Sequence, residues 1–122
     1  MSTGYRCDRT NNVSDDDLSA FLAGTLSPSL RSLRGLIGPT NEASLKAVGI
    51  HTTYNLLGMF LMLRVPEDNT QTHCDKFWGW LRDTVGVSPA HCNGITLLIA
   101  KKADNLMPGL YRDSECLLSS EE

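Results

Sequence analysis

What most constrains this chain is how often it is punctuated. Ser14 precedes three aspartates in "VSDDDL", Ser27 precedes Pro28 in "SPSLRSL", Pro39 opens "PTNEASLKAVG", Thr52 follows His51, and Ser88 precedes Pro89. A Ser or Thr side chain accepts from the unsatisfied N–H groups of a first helical turn, and acids there meet the positive end of the helix dipole. A proline in that turn gives up an N–H the helix does not need. Glycines and prolines supply the stops: Gly24, Gly49, Gly86 and Pro108-Gly109. Start and stop signals at these intervals predict short helices throughout. The fold class expected is all-α, a compact bundle of five to six short helices with polar terminal tails.

The apolar residues follow the same elements. Leu18, Phe21 and Leu22 form one stripe, and Cys74, Phe77, Trp78, Leu81 and Val85 recur at helical spacing. Ile95, Leu98, Ile99 and Leu106 form another stripe. From Leu56 to Leu63 the helix shows almost no polar side, the pattern of a fully buried helix. A chain of 122 residues with 41% hydrophobic content is sized for one domain. We expect an extended polar tail over residues 1–13, the helical domain over 14–112 and an acidic tail over 113–122. No run of about 18 apolar residues is present, so no membrane partner is expected. The polar, aspartate-bearing start lacks the marks of a signal or transit peptide. The expected location is cytoplasmic, in the cytoskeleton or a flagellum, with the nucleus as the alternative. Cys7, Cys74, Cys92 and Cys116 are widely spaced and are read as reduced thiols.

The net charge of −3 is unevenly placed. Residues 1–27 carry two basic and four acidic side chains, residues 28–112 nine and six, and residues 113–122 none and four. A mildly basic centre between acidic ends is a thinner cationic surface than a dedicated DNA binder shows.

The stretch "LRGLIGPTNEASLKAVGI", Leu33 to Ile50, has the layout of a helix-hairpin-helix. That motif holds phosphate with backbone N–H groups at a glycine turn and at the next helix N-terminus. Here Gly35 and Gly38 enclose Leu36 and Ile37, one residue more than the usual turn, and Glu42 stands where a cation would help. The residues therefore read first as a hairpin that packs two helices, with phosphate binding as the alternative.

Two further patterns extend this. "YNLLGMFLMLR" (Tyr54 to Arg64) and "FWGWLRDTVG" (Phe77 to Gly86), placed behind the hairpin, resemble barrier-to-autointegration factor. The resemblance implies a compact helical bundle that forms a homodimer, binds duplex DNA without sequence preference and docks partner proteins. Its DNA site would fall on Arg34, Gly35, Gly38 and Lys46. It also implies a buried Trp80, leaving Trp78 or Phe77 to dock a partner. The combination "HCDKFWGWL … AKKADNLMPGLY" is similar to small proteins of flagellated protists, some associated with microtubule structures.

Lys101 and Lys102, with Arg112, form the densest basic spot, suited to an acidic protein surface such as tubulin's, or to a solvated helix face. The pairs His73-Cys74 and His91-Cys92 could supply a Cys₂His₂ zinc set, but adjacent helical residues point about 100° apart, so no metal or other cofactor is expected. No catalytic motif appears, and no enzymatic activity is expected. The function expected is a structural or adaptor component of a larger protein assembly, cytoskeletal or axonemal by preference. Its partners would be tubulin or neighbouring filament proteins. A duplex-DNA-binding chromatin protein is the alternative.

Overall fold

The computed structural model describes residues 4–7 and 13–116. Five α-helices carry the fold: α1 (Asp15–Ala23), α2 (Pro39–Ala47), α3 (Thr53–Met62), α4 (Thr70–Trp80) and α5 (Pro89–Leu106). Single 3₁₀ turns lie at Leu30–Ser32 and Asp113–Glu115, and a wider π turn at Leu81–Val85 carries α4 onward. Among the described residues there is no strand, and the all-α class is as expected.

The helix ends follow the punctuation. Ser14 accepts from Asp17 N at 3.0 Å. Thr52 and Asn55 form a reciprocal capping box, each side chain accepting from the other's backbone N–H at 3.2 Å. Asn69 caps α4 through Thr72 N at 2.9 Å. Pro39 and Pro89 open α2 and α5. Gly49 and Gly86 leave the helices they end at φ 90° and 91°, where a Cβ would be strained.

One expected start is displaced. A helix from Pro28 would need the carbonyls of Ser27 and Pro28 for its own first bonds. Thr53 takes both instead, its hydroxyl donating to Ser27 O and its N–H to Pro28 O. What remains is the 3₁₀ turn, capped by Ser29 on Arg31 N at 3.2 Å. The first arm of the hairpin is thus a turn, tied to the start of α3.

Helix α5 is the axis of the bundle, buried from Cys92 to Ala100 and again at Lys102 and Ala103, and packed against α1, α3 and α4. Leu30, Leu33, Leu36, Ile37 and Leu45 join the core from the hairpin, Leu56 and Phe60 from α3, and Cys74, Phe77, Trp78 and Leu81 from α4.

Two further expectations are corrected. The segment expected as tail contributes Tyr5 to the core, fully buried; its N–H donates to Asp75 Oδ1 at 2.8 Å and its hydroxyl pairs with that of Tyr111 at 2.8 Å. At the other end the clamp runs past residue 112, since Glu115 accepts from both the N–H and hydroxyl of Thr70 at 2.8 and 2.9 Å. The rest of the expected tails, residues 1–3, 8–12 and 117–122, lies outside the described residues. Helix α3 is also not buried all round. Thr53, Leu56 and Phe60 face inward, while Met62 is 79% and Tyr54 55% exposed. A bundle this small has neighbours for only one side of α3.

Candidate functional site

The hairpin turn is built on Leu33, whose carbonyl accepts from Leu36 N at 3.1 Å and Ile37 N at 3.0 Å. Gly35 sits at φ 79°. Leu36 and Ile37, the lengthened part of the turn, are both buried, so the added residue anchors the turn in the core. Gly38 then caps α2 with no side chain, and Thr40 and Asn41 in the first turn line a shallow groove. The Asn41 side chain is spent on Leu36 O at 2.8 Å. On the far side of the groove stand Gly86, Ser88 and His91, because the π turn delivers the chain from α4 to α5 beside the hairpin. A second helix N-terminus, that of α5, also lacks a side-chain cap. Two positive helix ends therefore meet one groove.

The charges divide unevenly. Glu42 pairs with Arg31 at 3.2 Å and Lys46 at 3.5 Å, and the Arg31 hydrogen bond is the main reason its carboxyl is held below the usual range. Arg34 has no hydrogen-bond or ion-pair partner among the described residues. Of the four expected phosphate contacts, the groove brings together Arg34, Gly35 and Gly38; Lys46 lies in the last turn of α2, away from it and committed to Glu42. Arg31 and His91 also line the groove; the sequence did not single out Arg31, and it raised His91 only as a metal candidate. Arg31 could have been found from its position one helical turn before Arg34.

The expected partner-facing aromatics are corrected. Phe77 and Trp78 are buried, at 0% and 2% exposure, and present no ring to a partner. Trp80 is the partly buried tryptophan at the edge of the core; it stacks on Phe77 with centroids 5.8 Å apart. Arg82 lies over the Trp78 ring at 4.9 Å.

The basic spot dissolves too. Lys102 is 4% exposed and its ammonium donates to the carbonyls of Phe21, Leu22 and Gly24 at 3.2, 3.1 and 2.6 Å, closing the end of α1. Lys101 lies over the Tyr111 ring at 5.3 Å, and only Arg112 of the three is exposed.

His73 and Cys74 are both buried. His73 stacks on Phe60 at 3.8 Å, its Nε2–H donates to Phe60 O at 2.6 Å, and Nδ1 faces Arg64 at 3.4 Å. Both nitrogens are occupied, and burial holds the imidazole pKa below its usual value. Burial likewise drives the Cys74 thiol well above its ordinary range, away from the reactive thiolate. Among the described residues, no three His, Cys, Asp or Glu side chains are placed to share a metal.

A surface the sequence did not single out is the outer side of α3. Tyr54, Leu57, Gly58, Leu61 and Met62 fall at i, i+3, i+4, i+7 and i+8, and Val65 continues the line. Tyr54, Met62 and Val65 are exposed, Leu57 and Leu61 are partly buried against the core, and no formal charge lies between Thr52 and Leu63. A Cβ built on Gly58 meets nothing within 4 Å. The signal was present as two apolar stripes on one helix, only one of which a core can use. Compared with family models, curated proteins and solved structures, the chain matches none.

Proposed function

We propose that this chain is a non-enzymatic adaptor, a small helical component of a larger protein assembly that docks through the outer side of α3. The observation that carries this is the exposed apolar Tyr54 and Met62 on α3, with Val65 just beyond its end, flanking the partly buried Leu57 and Leu61 on a helix that carries no charge. Contiguous exposed apolar surface of this kind marks interaction sites in soluble domains. Gly58 adds a notch at its centre, where a partner's large side chain can approach the helix backbone. The likeness to small proteins of flagellated protists, some associated with microtubule structures, makes polymerised tubulin the first partner to test, and a second copy of the chain the next. The experiment is co-sedimentation with microtubules, wild type beside a Met62→Asp, Val65→Asp variant, both positions exposed, with unchanged thermal melting. Wild type should pellet and the variant should stay in solution. Equal pelleting of both would remove α3 as the docking face.

A second reading, duplex-DNA binding, rests on the groove where two helix N-termini and Arg34 converge. It predicts binding at low salt that falls steeply as salt is raised and that weakens in Arg34→Gln. Absence of binding at low salt leaves the hairpin as a packing element.

A further inference from the structure

Between α1, the Leu30–Ser32 turn and α5 lies a cleft of about 230 Å³. Phe21, Leu26, Val13 and the buried Leu98 form its walls, and Asp17 and Arg34 stand at its edge. Small-molecule and cofactor sites run from roughly 300 Å³ upward. This cleft is below that range and suits one large apolar side chain. No residue of α3 lines it, and Tyr54 at one end of the docking side reaches it only through a hydrogen bond from its hydroxyl to Leu26 O at 3.4 Å.

The two edge charges are not equivalent. Asp17 lies in the first turn of α1, where the helix dipole already compensates a carboxylate. Arg34 has no such compensation and no partner among the described residues. Beneath the cleft the Lys102 ammonium lies 5.9 Å from the centre of the Phe21 ring, held by carbonyls, with no carboxylate paired to it among the described residues. Arg34 is thus the cationic group lining the cleft that is left to meet an anion beside an apolar anchor.

We propose that this cleft binds the C-terminal residue of a partner polypeptide ending in a large apolar side chain. The side chain enters between Phe21 and Leu98, the terminal carboxylate meets the Arg34 guanidinium, and the N–H of the same residue faces the Asp17 carboxylate. A chain terminus offers all three groups on one residue, whereas an internal segment could give Arg34 a carboxylate only from a separate Asp or Glu side chain. Capture of a terminal carboxylate is an established mode of peptide recognition, and guanidinium is suited to it because it can donate two parallel hydrogen bonds. This inference goes beyond the adaptor reading by supplying a second, independent docking point.

The test is a fluorescence-anisotropy titration with a short labelled peptide ending in leucine, as free acid and as C-terminal amide. Wild type should bind the acid saturably and the amide about tenfold more weakly, the loss expected when one charge-assisted contact is removed. Arg34→Gln should erase the difference between the two peptides. Ala20→Trp, at an exposed position on the cleft wall, should abolish binding while thermal melting shows an intact fold. The Met62→Asp, Val65→Asp variant should bind the peptide as wild type does, which separates this site's failure from that of α3. No saturable binding, equal affinity for acid and amide, or binding unaffected by Ala20→Trp would each overturn the proposal.

Discussion

The Lys102 ammonium closes the end of α1 with three hydrogen bonds to carbonyls. Lys102→Met keeps the aliphatic stem and leaves those carbonyls short of a donor. Leaving buried polar groups unsatisfied costs about 1–3 kcal/mol, so the urea midpoint should fall accordingly; an unchanged midpoint would show that water replaces the ammonium. In sequence, Lys101 and Lys102 read as one basic spot, but neighbours on a helix diverge by about 100°, and one of the two had to turn inward. His73 makes a second residue-scale prediction. Its pKa is lowered in the fold, chiefly by burial and then by Arg64 and Lys76, against the opposing hydrogen bond to Phe60 O and the charge of Asp68. The unfolded chain therefore binds a proton more readily than the folded one. Its contribution is complete above the ordinary histidine value of 6.5 and is lost as pH falls from there toward the lowered folded value. Glu42, Asp68 and Glu115, whose pKa values are also lowered, lose their contributions only below the ordinary carboxylate range. Urea midpoints measured from pH 8 down to 5 should decline below about 6.5, and His73→Gln should flatten that decline while leaving the acid limb in place.

At the scale of the element, α3 separates stability from binding. Gly58 sits inside a helix with nothing within 4 Å of a Cβ, so internal packing gives no reason for it. Gly58→Ala should stabilise the isolated protein by about 0.5–1 kcal/mol, read as a higher melting temperature. If a partner side chain seats in the notch, the same substitution should weaken docking in the co-sedimentation assay. A higher melting temperature with undiminished docking would place the contact elsewhere on the helix. The helices themselves were legible because their signals are local: Ser14, Pro39, Gly49 and Thr52 act within one turn of where they stand. What each helix faces was not, since that depends on distant neighbours. The run from Leu56 to Leu63 tells of two apolar sides but not that only one finds a cover. In α4 the inward stripe Cys74, Phe77, Trp78 and Leu81 follows helical spacing, and Trp80 falls off it. There periodicity read the core and pattern resemblance did not. The start expected at Pro28 failed for a related reason, because Thr53, 25 positions on, claims the carbonyls it needed.

On the scale of the whole molecule, the two chain ends are fastened to the same helix. Tyr5 reaches α4 through Asp75, and Gln71 Nε2 donates to Tyr5 O at 2.7 Å. Arg112 N donates to the Thr70 hydroxyl at 2.9 Å, beside Glu115. Tyr5 and Tyr111 then join the two ends directly through their hydroxyls, with their rings edge to face at 6.4 Å. None of this was legible, because a segment with no helix has no period to read; the only trace was a lone aromatic in "MSTGYRCDRTNN". The magnitudes decide which part of Tyr5 matters. Removing the hydroxyl as Tyr5→Phe forfeits one buried hydrogen bond, about 1 kcal/mol. Removing the ring as Tyr5→Ala empties a fully buried site, about 3–5 kcal/mol by analogy with other aromatic truncations. Against a domain stability of roughly 5–15 kcal/mol, the second loss is a large share of the whole. If the ends belong to the cooperative unit, Tyr5→Ala should move the tryptophan-fluorescence and far-ultraviolet circular-dichroism transitions to lower urea together, because Trp78 is buried in the α4 they clasp. If the ends instead peel away first, Tyr5→Ala would leave the Trp78 transition where it is in wild type. Coincident shifts would make the clasp a structural part of the bundle, and any fusion or truncation at residues 4–7 would then act on the fold before it acted on a partner.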